Sequence, residues 1–219
     1  MKSRLTLNGR RLGLAVGLII SAAVLIGCAT SAPPVVPLKD GELALPAGYK
    51  AWPRFLSTID RPDVKQVREI YLNPVAASIR PGESFAPGSR FVMEIYAAAT
   101  QPDGSLRMEG GRLVKGGLLH VYVMGKQEGW GGDVVEALRT GNWIYAAYKP
   151  DGTANTPIVN TCRGCHVPYR KDDFVIHLDR YFSERKAALD STVRLSVQAT
   201  LERADVARVS QVMAGATPR

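Results

Sequence analysis

Three stretches of the chain alternate apolar and polar residues with the two-residue period of a half-buried strand. Phe91-Val-Met-Glu-Ile-Tyr-Ala97 sets Phe91, Met93 and Ile95 on one face and Val92, Glu94 and Tyr96 on the other. Leu118-Leu-His-Val-Tyr-Val-Met124 gathers His120, Tyr122 and Met124 on one side. Asn142-Trp-Ile-Tyr-Ala-Ala-Tyr148 is the third, closed by Pro150-Asp-Gly152. An earlier run, Val67-Arg-Glu-Ile-Tyr-Leu72, is β-rich in its second half and stops at the turn signal Asn73-Pro74, although its polar start also fits a short helix. Arg80-Pro-Gly82 and Ala86-Pro-Gly-Ser89 are turns around Phe85, and Gln101-Pro-Asp-Gly104 is a tight turn leading to a hairpin partner. Strands joined by turns, with no long helix between them, predict a mainly β (α+β) domain built on an antiparallel sheet.

The two ends follow other patterns. Asp172 to Leu189 has helical character, with Phe174, Leu178, Tyr181 and Phe182 near one side. Residues 191–213 read as a further helix with an imperfect apolar stripe, a tail free to pack on the domain, pair with another chain or stay mobile. At the other end, Lys2, Arg4, Arg10 and Arg11 precede an apolar run from Leu12 to Ile26. That run is shorter than the roughly 20 residues of a spanning helix, so it reads as a removable signal peptide. Its close, Leu25-Ile26-Gly27-Cys28, resembles a bacterial lipobox, which makes Cys28 the lipidated residue; an ordinary secretory signal is the alternative. The chain then divides into a signal (1–27), a Pro-rich tether (28–41), a core domain (42–186) and a helical or mobile tail (187–219). This address places the protein on the periplasmic side of a bacterial membrane, the outer membrane being expected.

Charge changes the picture little. The formal net charge is +8, and removal of the signal lowers it to +4. A mild basic balance without a dense Lys/Arg patch argues against nucleic acid as a partner and leaves room for an acidic redox partner protein.

Cysteine usage changes it more. Of three cysteines, Cys28 belongs to the anchor, which leaves Cys162-Arg-Gly-Cys165-His166. That spacing is the attachment signal for a c-type haem, in which each thiol forms a thioether and the adjacent His coordinates iron from one axial side. A thioredoxin-like pair belongs in a βαβ unit, and nothing here alternates that way. Zinc needs two more ligands; two of His120, His166 and His177 would make a Cys₂His₂ site possible, but their spacing is irregular. The cofactor expected is therefore a single covalent haem c, with His166 as the metal ligand.

The order of motifs resembles the cytochrome P-460 family, which includes the beta-type cytochromes c-prime. The shared pattern runs from Tyr49–Trp52 through Ile70-Tyr-Leu-Asn-Pro74 and Phe85-Ala-Pro-Gly-Ser-Arg-Phe-Val-Met-Glu94. It continues through Gly141-Asn-Trp-Ile-Tyr145 and Pro150-Asp151 to the haem motif and Asp173-Phe-Val175, covering roughly residues 42–182. The resemblance implies a mainly β haem domain, usually a homodimer. In hydroxylamine-oxidising members a Lys cross-linked to the haem stands where this chain has Met93, and a proton-handling carboxylate stands where it has His120. Both departures fall on the chemistry, while the scaffold residues persist.

The resemblance also sets the distal candidates. At Met93 it implies contact with the macrocycle, by packing or by ligation through sulfur. His120 is placed to donate a hydrogen bond to a bound ligand, shuttle a proton or bind iron. Phe91 and Phe85 either cap the distal face or belong to plain sheet core. Trp52, Trp130 and Trp143 read as packing anchors, and His177 as a helix-surface residue. Arg163, Arg170 and Lys171 read as propionate partners or solvated charge. The function expected is binding or redox handling of a small ligand such as nitric oxide. Alternatives are an oxidoreductase acting on hydroxylamine or nitric oxide, which Met93 disfavours, and an electron carrier with both axial sites filled.

Overall fold

The structure, a computed structural model, describes residues 37–215. The signal, Cys28 and most of the tether lie outside the described residues.

Five strands form one antiparallel sheet in the order β1-β2-β3-β6-β7. They are β1 (Ile59–Arg61), β2 (Gln66–Leu72), β3 (Arg90–Ala98), β6 (Lys115–Lys126) and β7 (Trp143–Tyr148). Four of these carry the predicted strand sequences, and the polar start of β2 is strand rather than helix. Between β3 and β6 the chain inserts a small hairpin, β4 (Met108–Glu109) with β5 (Arg112–Leu113), which the sequence pattern does not announce. Asn73 ends β2 as the N-cap of the short helix α1 (Pro74–Ala77), its side chain accepting from the Ala76 amide at 3.0 Å.

Register fixes which side chains share a face. Ile70 pairs with Met93, Met93 with Tyr122, and Tyr122 with Ala147, so these four form one row across the sheet. Beside it run Arg68–Ile95–His120 and Leu72–Phe91–Met124–Tyr145 on the same face. That face carries the larger core, in which Phe55, Phe85, Phe91 and Trp143 meet edge to face and Phe174, Leu178 and Tyr181 close over them. The opposite face packs Val92, Val121, Val123, Ile144 and Ala146 against Leu43, Tyr49 and Trp130.

The outer edge of β7 is covered rather than left open. Gly41 donates to the Tyr145 carbonyl at 2.7 Å, the Tyr145 amide donates to Asp40 at 3.0 Å, and Asn155 donates to the Ala147 carbonyl at 2.7 Å.

After β7 come α2 (Val159–His166), a 3-10 segment (Val167–Asp172) and α3 (Leu178–Gly215). Two expectations change here. Helix does not begin at Asp172, because Asp173, Phe174 and His177 all take left-handed backbone angles. The two predicted helices are one, 38 residues long, which packs through Leu178 and Tyr181 and is exposed at Leu189, Val193, Leu195, Val197 and Leu201. His177 is exposed, as expected, but it precedes this helix. Among the described residues no helix is long and apolar enough to cross a membrane.

Candidate haem site

The haem-attachment spacing lies on α2, and the helix explains it. Val159, Cys162, Arg163 and His166 are three, four and seven residues apart and face inward together, whereas Cys165 is exposed. Cys162 packs against the larger core, and burial pushes its thiol pKa up to about 11. Both thiols are free. Among the described residues no three His, Cys, Asp or Glu side chains converge as a metal-binding group.

His166 is held in a definite orientation. Its Nδ1 lies 2.7 Å from the Phe174 carbonyl, so Nδ1 carries the proton and Nε2 keeps its lone pair free. Burial lowers its pKa against the opposing pull of that carbonyl, which favours the neutral imidazole a metal needs. The ring also tilts against Tyr145 at 5.1 Å between centroids.

Arg163 corrects an expectation. It is 3% exposed and reaches neither solvent nor an open rim. Its guanidinium binds Asp40 twice, at 2.6 and 3.0 Å, and donates to Thr140 Oγ1 at 3.0 Å and the Trp143 carbonyl at 3.2 Å. A buried charge needs this satisfaction. The residue between the two cysteines therefore clamps α2 to the segment entering the domain.

Part of the sheet face that carries the larger core is not fully covered. Arg68, Ile70, Met93, His120 and Tyr122 are all half-buried, while Leu72, Phe91, Met124 and Tyr145 farther along the strands are buried. Met93 and His120 share this face and occupy adjacent cross-strand rows. The β3–β6 register slips between Ile95–His120 and Tyr96–Leu118, leaving a bulge at Leu119 immediately before His120. The His120 ring stacks on Tyr122 at 5.9 Å, and its Nδ1 is buried without a hydrogen-bond partner among the described residues. Phe91 lies deeper, enclosed by Phe55, Phe85 and Trp143.

Arg68 went unmarked in the sequence reading. It stands on this face, bonded to Gln66 alone among the described residues, and burial together with Arg61 lowers its pKa. Ile70 and Tyr122 of the strand face and Cys162 of α2 all pack against the larger core, which brings the two elements to one locus. The strand period marked Arg68 as facing Ile70, but nothing in its own composition set it apart from a surface cation.

The residues fit a haem. His166 offers an imidazole whose Nε2 is free, two thiols stand on the same helix, and the sheet face adds a partly uncovered row and the unpartnered His120 Nδ1. A surface groove of about 450 Å³ opens elsewhere, on the face bearing Val67 and Glu69. Its cations Arg54, Arg112 and Lys115 are already paired with Glu69 or Asp60.

No curated protein matches the chain. The family model for cytochrome P460 matches residues 46–177, more than half of the chain, from the Tyr49 region to the end of the left-handed turn that holds His166. The order of motifs, the antiparallel sheet and the family match agree: the chain belongs to the cytochrome P460 family and is a haem-binding cytochrome.

Proposed function

We propose that Cys162 and Cys165 attach one haem c, that His166 ligates its iron from the proximal side, and that the protein binds or redox-handles a small ligand such as nitric oxide on the opposite side. The observation that carries this reading is the 2.7 Å contact of His166 Nδ1 with the Phe174 carbonyl, which directs the free Nε2 to a metal. Bound there, haem supplies an iron that can take a diatomic ligand and change oxidation state.

The chain's own residues supply the rest. Ile70 and Met93 give apolar contact, and Tyr122 adds an aromatic wall. His120 offers a neighbouring ligand a hydrogen bond or a proton, and the bulge at Leu119 aims it. Met93 in place of a cross-linking Lys favours ligand binding over hydroxylamine oxidation. Export and lipidation at Cys28 put this chemistry on the periplasmic side of a bacterial membrane, outer membrane included, as a homodimer that exchanges electrons with an acidic redox partner.

The absorption spectrum of the purified protein with and without nitric oxide or carbon monoxide tests the proposal. A ferrous spectrum that shifts with either gas, on a haem whose mass requires two thioethers and no third link, is the expected result. A six-coordinate ferrous haem that ignores carbon monoxide would defeat the gas-binding reading and leave electron transfer.

A further inference from the structure

Four described non-glycine residues have positive φ, and three of them, Asp173, Phe174 and His177, lie just after the 3-10 segment that follows His166. Asp173 sits at φ 52°, ψ 37°, and Phe174 at φ 63°. An Asp tolerates this region, whereas a bulky Phe seldom adopts it and is strained there. Strain of this kind persists only where the surroundings over-determine it.

The surroundings do so here. The Asp173 carboxylate accepts from the Phe85 amide at 2.8 Å and from Lys126 Nζ at 2.6 Å. That ion pair is nearly buried, 12% exposed on the lysine side and 11% on the aspartate side. The Asp173 carbonyl accepts from Trp143 Nε1 at 2.9 Å, and the Phe174 amide donates to the Tyr169 carbonyl at 2.8 Å. The Phe174 ring lies under Arg170 and against Gly141, where a Cβ would stand 3.2 Å from it. The product of all this holding is one carbonyl, that of Phe174, facing His166 Nδ1.

We infer that the Lys126–Asp173 pair and the left-handed turn it pins are a positioning device for the proximal imidazole, fixing the Phe174 carbonyl on Nδ1 and thereby the tautomer, orientation and donor strength of the ring. Lys126 ends β6 and Asp173 follows the attachment helix, so the device ties the proximal ring to the sheet. A hydrogen bond at Nδ1 raises the basicity of the ligating nitrogen and favours the ferric state. The inference rests on the reading of His166 as the iron ligand.

Asp173→Asn separates charge from backbone preference, because Asn also tolerates left-handed angles and keeps an oxygen for the Phe85 amide. Lys126→Met removes the same ion pair from its other end, and serves alone if Asp173→Asn fails to fold. In the haem-loaded protein both variants should lower the iron–histidine stretching frequency of the ferrous state, raise the midpoint potential and speed exchange of the His166 Nδ1 proton. The double variant should add little, since the two residues act as one unit, and Lys126→Arg should restore most of the wild-type values. Wild-type frequency, potential and exchange in both single variants, with haem retained, would overturn the inference. His166→Gly tests the underlying reading separately: survival of the iron–histidine band there would show that another residue ligates, whatever the turn does.

Discussion

The two sides of the site are built on opposite principles. On the proximal side, α2 and the turn after it are fastened by two buried ion pairs, Asp40–Arg163 and Lys126–Asp173, which tie them to the entering segment and to β6. Side-chain and main-chain donors converge there and hold the strained backbone. On the distal side, Met93, His120 and Tyr122 stand half-covered on regular strands, and His120 Nδ1 has no partner among the described residues. The first region is fastened by ion pairs, and the second is left partly uncovered.

The contrast breaks most visibly at Arg163. Arg163→Ala leaves Asp40 without its cation and the Thr140 hydroxyl and Trp143 carbonyl without their donor. Removing one partner of a buried pair costs about 3–5 kcal/mol, a large share of the roughly 5–15 kcal/mol by which a domain is stable. Urea denaturation should show a large drop in midpoint with little change in slope. An unchanged midpoint would mean that the clamp contributes nothing and that the proximal side is no more rigid than the distal one.

At His120 the sign should reverse. A buried nitrogen left unpaired costs about 1–3 kcal/mol, so His120→Leu, on a β-strand beside Tyr122, should leave the haem-free protein as stable as wild type or more stable by about 1 kcal/mol. The same substitution removes the only histidine on the strand face, and the dissociation rate of bound nitric oxide or carbon monoxide should change. Stopped-flow kinetics and denaturation on the same variant check both halves. A stability loss like that at Arg163, with unchanged ligand rates, would make His120 an ordinary core residue.

How much of this was legible beforehand follows the same division. The strand faces were readable because a two-residue period needs no partner to be seen: Met93 with Phe91 and Ile95, His120 with Tyr122 and Met124, all fall as the pattern places them. The Cys162–His166 motif was visible because it is continuous in the sequence. The proximal fastening was not. Arg163 and Asp40 are 123 residues apart, and neither belongs to a periodic pattern. The left-handed turn at Asp173–Phe174 contains no glycine to announce it, so helical character was extended through it. The bulge at Leu119 depends on how β3 and β6 meet, which neither strand encodes alone. Local period and covalent chemistry show in one dimension; long-range ion pairs and tertiary strain do not.

Met93→Leu should produce the smallest effect on stability and the sharpest test of the open side. Leu and Met have similar volumes, and such exchanges cost less than about 1.5 kcal/mol; at this half-buried position the denaturation midpoint should barely move. What the substitution deletes is the thioether sulfur. If Met93 only packs in the row Ile70–Met93–Tyr122–Ala147, Leu fills the same space, and the ferrous spectrum, the potential and carbon monoxide binding all stay near wild type. If the sulfur occupies the sixth axial position, its loss opens that position, lowers the potential and makes carbon monoxide bind faster. The first outcome is the expected one, because packing requires only that Met93 face the row it already faces, whereas ligation requires the sulfur to meet the iron directly opposite His166.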